Sequence, residues 1–415
     1  MKKPSLLIII LTVFLDLVGF GIVMPSLPIF AKHFNASGVT IGLLMASYSA
    51  MQFLFSPILG RLSDRVGRRP ILLLSLAGST LSYAIFAIAS GMSGSLALTL
   101  LFASRIFAGI FGANITVAQA YIADITPPDQ RSRKMGLIGM AFGLGFIFGP
   151  VIGFAGMRLF GVTGPGWVAA VICGLNFIFA LIRLPETWTP TADTASRRPQ
   201  VAQILHTLRQ PRIGLLVGLF FLGTFVFSAF ETTLGLLVSR NFNLAFDTAG
   251  HEFNYDPKFF ALYAYCGLIG ALVQGGVIGR AVKALGEPGL ITLSFVVVAI
   301  GLAPMPFISL AHFGWAGLLL VLAFISVGSS LTRPPIFGMI SQLSPADEQG
   351  QSIGVAQSAG SLARILGPIF GGALLTQHPV TLFLSSALIS IIGSALAWGY
   401  LRRTSHSPAT PGHLN

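Results

Sequence analysis

Gly60-Arg61-Leu62-Ser63-Asp64-Arg65-Val66-Gly67-Arg68-Arg69-Pro70 sets charge and glycine between two long apolar runs. A fainter copy stands in the other half of the chain, at Gly279-Arg280-Ala281-Val282-Lys283-Ala284-Leu285-Gly286-Glu287-Pro288. In each segment two glycines lie seven residues apart and a proline follows. A second pair of landmarks has nearly the same offset. Thr126-Pro127-Pro128-Asp129 leads to Gly149-Pro150 and Gly153; Ser344-Pro345-Ala346-Asp347 leads to Gly367-Pro368 and Gly371. Two registers agreeing within one residue predict two related halves in a chain of 415 residues, each with the same hinge.

The chain is 54% hydrophobic and only 9% charged, with a mean hydropathy of +0.82. Runs of about 20 apolar residues are long enough to cross lipid as helices, and too long and continuous for barrel strands. The expected spans are 6–30, 40–59, 70–90, 95–122, 134–157, 165–184, 213–239, 258–278, 289–310, 315–338, 350–375 and 380–401. The first is expected to remain in place, since it runs into Pro25 and Pro28 without a small-residue cleavage pattern. The fold class is therefore an all-α membrane protein of twelve helices in two pseudo-symmetric six-helix bundles. The expected division is 1–184, a linker at 185–212 marked by Pro185, Pro190, Pro199 and Pro211, and 213–415. Parallel six-helix repeats flanking a central site are an established transporter plan.

The net charge of +12 suggests nucleic acid until the charges are placed. With the N-terminus inside, eighteen of the 25 Lys and Arg fall on the cytoplasmic side, and Lys32, Arg158, Arg240 and Lys258 on the other. That asymmetry places both termini in the cytoplasm and removes the argument for nucleic acid. The partners are then the bilayer, protons and a small molecule, handled by a monomer in a plasma membrane. Cys173 and Cys266 lie inside apolar spans and read as small buried side chains. Asp247, His251, Glu252 and Asp256 share the long outer loop, which reads as a solvated polar loop rather than a metal site. No cofactor or metal is expected.

Ionisable groups inside spans are the sharpest functional signal, because charge in lipid is expensive. Asp16 is ten residues into the first span, about 15 Å deep. Glu231 is well inside the seventh, beside Phe227. Asp16 is read either as a proton carrier or as a structural hydrogen-bonding group that holds the first span, and Glu231 as a cavity group in contact with protons or substrate. Arg105, Arg333 and Arg364 also fall within spans; Arg105 reads as a structural ion pair or backbone cap, and Arg333 and Arg364 as groups that balance an acid or face an anionic substrate. Tyr48, Gln52, Asn114, Gln119, Gln274 and Gln357 are candidate cavity residues or helix–helix hydrogen bonds. All seven histidines lie in loops, tails or span ends. Gly139, Gly143, Gly145, Gly149 and Gly153 put small residues along one side of the fifth span, fit for close packing and for a bend at Gly149-Pro150.

The chain resembles the major facilitator superfamily over nearly its whole length. Gly60–Pro70 matches that family's loop motif between helices two and three, and Arg105 with Gly109 its helix-four motif, with Ala108 where Gln is usual. Gly145-Phe146-Ile147-Phe148-Gly149-Pro150-Val151-Ile152-Gly153 is similar to the helix-five motif of antiporters. Leu15-Asp16-Leu17-Val18-Gly19-Phe20-Gly21-Ile22-Val23-Met24-Pro25-Ser26-Leu27-Pro28 resembles the first helix of twelve-span drug:proton antiporters, the tetracycline exporters especially. The resemblance implies a cytoplasmic latch of Gly60, Asp64, Arg65, Gly67, Arg68, Arg69 and Asp124. In it Asp64 meets the start of helix eleven near Gly350–Gly354, and Arg68 pairs with Asp124. It implies proton coupling through Arg105 and alternating access, with multidrug efflux and antibiotic resistance as the associated activity. Tetracycline exporters carry acids in helices three and nine, whereas the matching stretches Leu81-Ser82-Tyr83 and Leu293-Ser294-Phe295 have none.

The expected function is a proton-coupled antiporter exporting a small amphiphilic drug or metabolite; a symporter or uniporter of a polar metabolite is the alternative on the same fold. An enzyme is disfavoured: the chain has no HExxH pair, GxSxG elbow or clustered histidines. A primary pump is disfavoured by the lack of a phosphate-binding loop, and a receptor by the short polar end Thr404–Asn415.

Overall fold

A helix closes its backbone hydrogen bonds within itself, which is what lipid demands of each apolar run. The computed structural model of the protein describes residues 5–23, 38–188, 200–242, 246–247, 254–255, 257–345, 348–375 and 378–401. Expectations resting on Lys2, Lys3, residues 24–28, Lys32, His33, Pro190, Arg197, Arg198, Pro199, His251, Glu252, Asp256, Ala346, Asp347, Arg402, Arg403 and Thr404–Asn415 lie outside them.

The first half comprises α1 (Leu6–Val23), α2 (Gly38–Val66), α3 (Arg68–Ser90), α4 (Ser95–Phe111), α5 (Asn114–Asp124), α6 (Arg131–Phe160) and α7 (Gly164–Arg183). A surface helix, α8 (Gln200–Arg209), precedes α9 (Pro211–Phe242), α10 (Pro257–Leu272), α11 (Ile278–Leu302), α12 (Gly314–Leu343), α13 (Gln349–Leu375) and α14 (Pro379–Leu401). Phe246–Asp247 and Asn254–Tyr255 pair as a short antiparallel ribbon in the long outer loop. Eight described stretches are long and apolar enough to cross a membrane. Two of them, Pro128–Arg183 and Ala261–Phe307, each fold as two spans, and the more polar α2 and α13 complete the twelve.

Three elements differ from expectation. The Gly60–Pro70 segment is barely a loop: α2 runs on to Val66, and Gly67 alone turns the chain before α3 begins. Gly67 has φ 103°, a conformation that favours glycine. The expected span 95–122 is two helices, α4 and α5, interrupted at Gly112-Ala113. Glycine weakens a helix there, and the Gly112 carbonyl accepts a hydrogen bond from Gln52 Nε2 at 3.0 Å. The eighth span widens into a π-turn at Val273–Val277, which holds Gln274.

The duplication is visible in the backbone. Gly286, the counterpart of Gly67 in the second half, also has a positive φ, 69°, and kinks the chain inside α11. The packing repeats too. α1 lies on α6 as α9 lies on α13, and α3 on α7 as α11 on α14. A Cβ on Gly149 would meet the Gly21 Cα at 2.6 Å; one on its counterpart Gly367 would meet the Phe225 carbonyl of α9 at 2.8 Å. Small residues let these helices touch backbone to backbone, the contact that stabilises helix pairs in lipid. Two seams join the halves: α2 with α13, and α6 with α10. Outward-facing Val171, Leu175 and Ile178 on α7, and Leu384, Leu388 and Ile391 on α14, are exposed at helical spacing. These apolar stripes face lipid.

Candidate functional site

The turn at Gly67 places a layer of charge where the two halves meet. Asp64, on the last turn of α2, accepts backbone N–H bonds from Gly350 (3.1 Å) and Gln351 (2.9 Å) at the start of α13. The unpaired N–H groups and dipole of a helix start suit a carboxylate. Arg68 pairs with Asp64, with Asp124 (Nε to Oδ2, 3.0 Å) and with Ser63 Oγ (2.8 Å), and is 1% exposed. Burial pushes the Asp64 carboxyl up to about 6, against the pull of Arg68 and the two amides, so it is mostly ionised at neutral pH. Burial likewise raises Asp124, against Arg68. Gly60 carries α2 against the Gly350 carbonyl; a Cβ there would meet the Gly350 carbonyl carbon at 2.8 Å. Arg65 is exposed.

Glu186, which the sequence did not single out, completes this layer. Its carboxylate accepts the backbone N–H groups of Arg68 (2.9 Å) and Arg69 (3.0 Å), capping α3. Arg69 donates to the carbonyls of Leu184 (2.7 Å) and Leu181 (2.8 Å) at the end of α7. The cue was present as the first acid after the sixth span, directly behind Pro185.

On the other seam Glu287 is bonded by the Ser132 hydroxyl at the start of α6 and by Gln342 Nε2 at 3.1 Å. Gln342 also donates to the Pro128 carbonyl (2.9 Å), and Arg131 Nη1 donates to the Ser341 carbonyl (2.8 Å). Burial raises the Glu287 carboxyl; Ser132 and Gln342 oppose it.

The helix-five glycines divide between two partners. Gly145, Gly149 and Gly153 face α1 at Leu17, Gly21 and Ile22. Gly139 and Gly143 face Gln274 and Gly267 of the other half. α6 stays helical through Gly149-Pro150.

At mid-span the candidate residues form two groups. Asp16 is buried inside the first bundle, where Asn114 Nδ2 donates to its Oδ2 at 2.9 Å and the Cys173 thiol stands 4.0 Å from Oδ1. Asn114 therefore bonds helix to helix. Two of the other candidate contacts, Arg364–Gln52 and Gln357–Gln119, bridge the halves. Arg364 Nη2 donates to Gln52 Oε1 (3.0 Å) and Ser361 Oγ (3.0 Å), while Gln52 Nε2 donates to Tyr48 Oη (2.8 Å). The Arg105 guanidinium lies 4.8 Å over the Tyr48 ring. Gln357 Nε2 donates to Gln119 Oε1 across the seam (2.9 Å), and Gln357 Oε1 accepts from Arg333 Nη2 (3.3 Å). Phe142, Phe220 and Phe337 surround Arg333 at 5.1, 5.6 and 5.6 Å. Glu231 lies within electrostatic reach of Arg364, and its carbonyl accepts from Tyr263 Oη (3.0 Å). Phe227 packs near Phe230 in the second bundle, with ring centroids 6.1 Å apart. Gln274 Nε2 donates to the Ser330 carbonyl (3.1 Å).

Among the described residues no carboxylate lies within 4.0 Å of Arg105, Arg333 or Arg364. A lone charge at the bilayer centre costs about 2.5–3.5 kcal/mol on insertion scales, so an arrangement of three is unusual. No three described His, Cys, Asp or Glu side chains converge as a metal site requires.

Known proteins share this architecture. The profile of the Major Facilitator Superfamily matches residues 9–366 and 236–414. The class C tetracycline resistance protein of Escherichia coli is 34% identical, over 99% of this chain and 100% of that protein. Multidrug resistance protein 2 of Bacillus subtilis (strain 168) is 29% identical, over 96% of each. The crystal structure of the human organic anion transporter MFSD10 (TETRAN) superposes with a TM-score of 0.78 at 23% identity, covering 95% of this chain and 100% of that one, and shares the fold.

Proposed function

The chain belongs to the major facilitator superfamily, so it is a membrane transporter of small molecules and not an enzyme, and we propose that it works as a proton-coupled antiporter exporting a small amphiphilic compound. Residues 1–184 and 213–415 act as two bundles joined by the segment 185–212. They rock about the midplane in a bacterial inner membrane, as a monomer with both termini in the cytoplasm. The Asp64 and Glu287 contacts close the cytoplasmic face, and opening that face breaks them. Relatives named for tetracycline and multidrug resistance support export.

One observation carries the proton part. Asp16 is buried in the first bundle and held by the neutral amide of Asn114, with no cation within 4.0 Å among the described residues. A carboxyl without a counter-ion in a dry setting readily holds a proton. Glu231 differs: it has Arg364 nearby and serves as that residue's counter-ion. The exchanged proton is therefore assigned to Asp16, with Tyr48 within electrostatic reach of it and bonded through Gln52 to Arg364 of the second bundle.

The test uses purified protein in proteoliposomes with anionic, neutral and cationic aromatic amphiphiles as probes. An imposed proton gradient should drive at least one probe in the direction opposite to the protons, and Asp16→Asn should reduce that flux below about a tenth. Flux in the same direction as the protons would contradict antiport and favour the symporter.

A further inference from the structure

Five Asp, Glu and Arg side chains occupy the described mid-span region: Arg105, Arg333 and Arg364 against Asp16 and Glu231. Their formal sum is one positive charge when both acids are ionised. The surplus is local. Asp16 belongs to Asn114 and Arg105 to the Tyr48 ring, which leaves Arg333 and Arg364 with Glu231. Arg333 and Arg364 are within electrostatic reach of each other, like charges that repel. Their hydrogen-bond acceptors are neutral oxygens: Gln357 Oε1, Gln52 Oε1 and Ser361 Oγ. Arg333 Nε, like Arg105 Nε, is sealed from solvent and has no acceptor among the described residues. Three phenylalanine rings pack around the Arg333 guanidinium and supply it with no acceptor oxygen.

We propose that the substrate carries an anionic group, a carboxylate or sulfonate, that docks on Arg333 and Arg364. This rests on the reading that small amphiphiles pass through a midplane site. A planar guanidinium matches a carboxylate or sulfonate better than it matches an amide oxygen. An arriving anion displaces Gln52 and Gln357 from the arginines. Of these contacts Arg364–Gln52 itself crosses between the bundles, and Gln357 holds Gln119 of the first bundle. Substrate binding thereby loosens the contact between the bundles, which couples occupancy to movement. The sign of the Glu231 effect follows. Neutralising Glu231 removes the negative charge nearest Arg364, so it tightens anion binding. A carboxyl that loosened substrate on protonation would act the opposite way.

The experiment is equilibrium binding to the purified full-length protein in lipid nanodiscs, with four probes sharing one ring system. These are 2-naphthoate, 2-naphthalenesulfonate, 2-naphthamide and 2-naphthylmethylammonium. Saturable binding of the two anions is expected, with the amine and amide about tenfold weaker or more. Arg364→Gln and Arg333→Gln should each weaken 2-naphthoate about tenfold, and Arg364→Lys by less, since lysine keeps the charge without the fork. Glu231→Gln should tighten it about threefold at neutral pH. The wild-type probe ranking needs no variant to fold. Equal or better binding of the ammonium probe overturns the proposal. So does wild-type affinity for 2-naphthoate in both Gln variants, eluting as monodisperse protein. Anion binding without proton-driven exchange would overturn antiport alone; exchange of a cation without anion binding would overturn this proposal alone.

Discussion

At the first seam Arg68 lies between Asp64 and Asp124, and Asp64 meets bare backbone N–H groups at the start of α13. At the second seam the same places hold other chemistry. In the register of the repeat Glu287 takes the place of Arg68, Gln342 that of Asp124, and Ser132 that of Gly350. There a carboxyl meets a hydroxyl and an amide, with no cation in the bonded set. The cation moved off the turn and the acid moved onto it, while both contacts stayed between the same pairs of helices. Geometry is what the duplication preserved. Charge was free to change because each contact needs only a donor facing an acceptor. The first seam is the more sensitive to loss of one partner, because a buried charge is then left uncompensated.

That ranking can be broken by mutation. Asp64→Asn leaves Arg68 with Asp124 as its one bonded carboxylate and should destabilise the closed face by roughly 3 kcal/mol. Transport should fall severely while membrane insertion stays intact, as membrane-fraction yield would verify. Equal effects of Asp64→Asn and Glu287→Gln would remove the asymmetry.

Steric tests come next. Gly60→Val drives a side chain into the Gly350 backbone, whereas Gly279→Val meets the Arg133 side chain, which can swing away. Overpacking at Gly60 should cost about 1–3 kcal/mol and Gly279 much less. Detergent-solubilised thermal unfolding reads the difference.

A smaller contrast lies at the turns. Gly67→Ala and Gly286→Ala both force alanine to a positive φ, at about 1–2 kcal/mol each. Gly67→Ala also crowds Glu186, while the space at Gly286 is nearly open, so Gly67→Ala should lower the melting temperature further.

The smallest effect is in pH. Burial raises the Glu287 carboxyl in the closed arrangement, where no cation is bonded to it. A raised acid favours, when protonated, the state that raises it: the contribution is fully present below the solvated value and is lost as pH rises through the raised one. Through Glu287 the closed population should therefore grow on acidification. Glu287→Gln, a permanently neutral mimic, should flatten part of that dependence, as fluorescence transfer across the face would register. A closed population that shrinks on acidification would reverse the sign.

Much of the fold was legible because lipid leaves few options. The lengths of apolar runs fixed the spans, and the two offsets fixed the repeat. The position of Asp64 was implied by the family resemblance of the Gly60–Pro70 motif, not by its spacing. The break at Gly112 and the π-turn at Gln274 were not legible, since glycine in an apolar run reads equally as packing. Asn114 gave no sign of its bond to Asp16, 98 residues away. The second seam was hidden for a chemical reason: Glu287 replaces an arginine, so a search by residue type passes over it. The local pattern records each helix well and its distant partner poorly.

Rocking of the two bundles is read most directly by the distance between spin labels at Leu62 and Pro345, exposed residues of the two halves on the seam-bearing face. In a Cys173→Ala, Cys266→Ala background, a short and a long population should coexist. Asp64→Asn should shift weight to the long one, and Asp16→Asn should change the balance without altering either distance. A single distance, unchanged by pH and by both substitutions, would contradict a transporter that works by moving one half against the other.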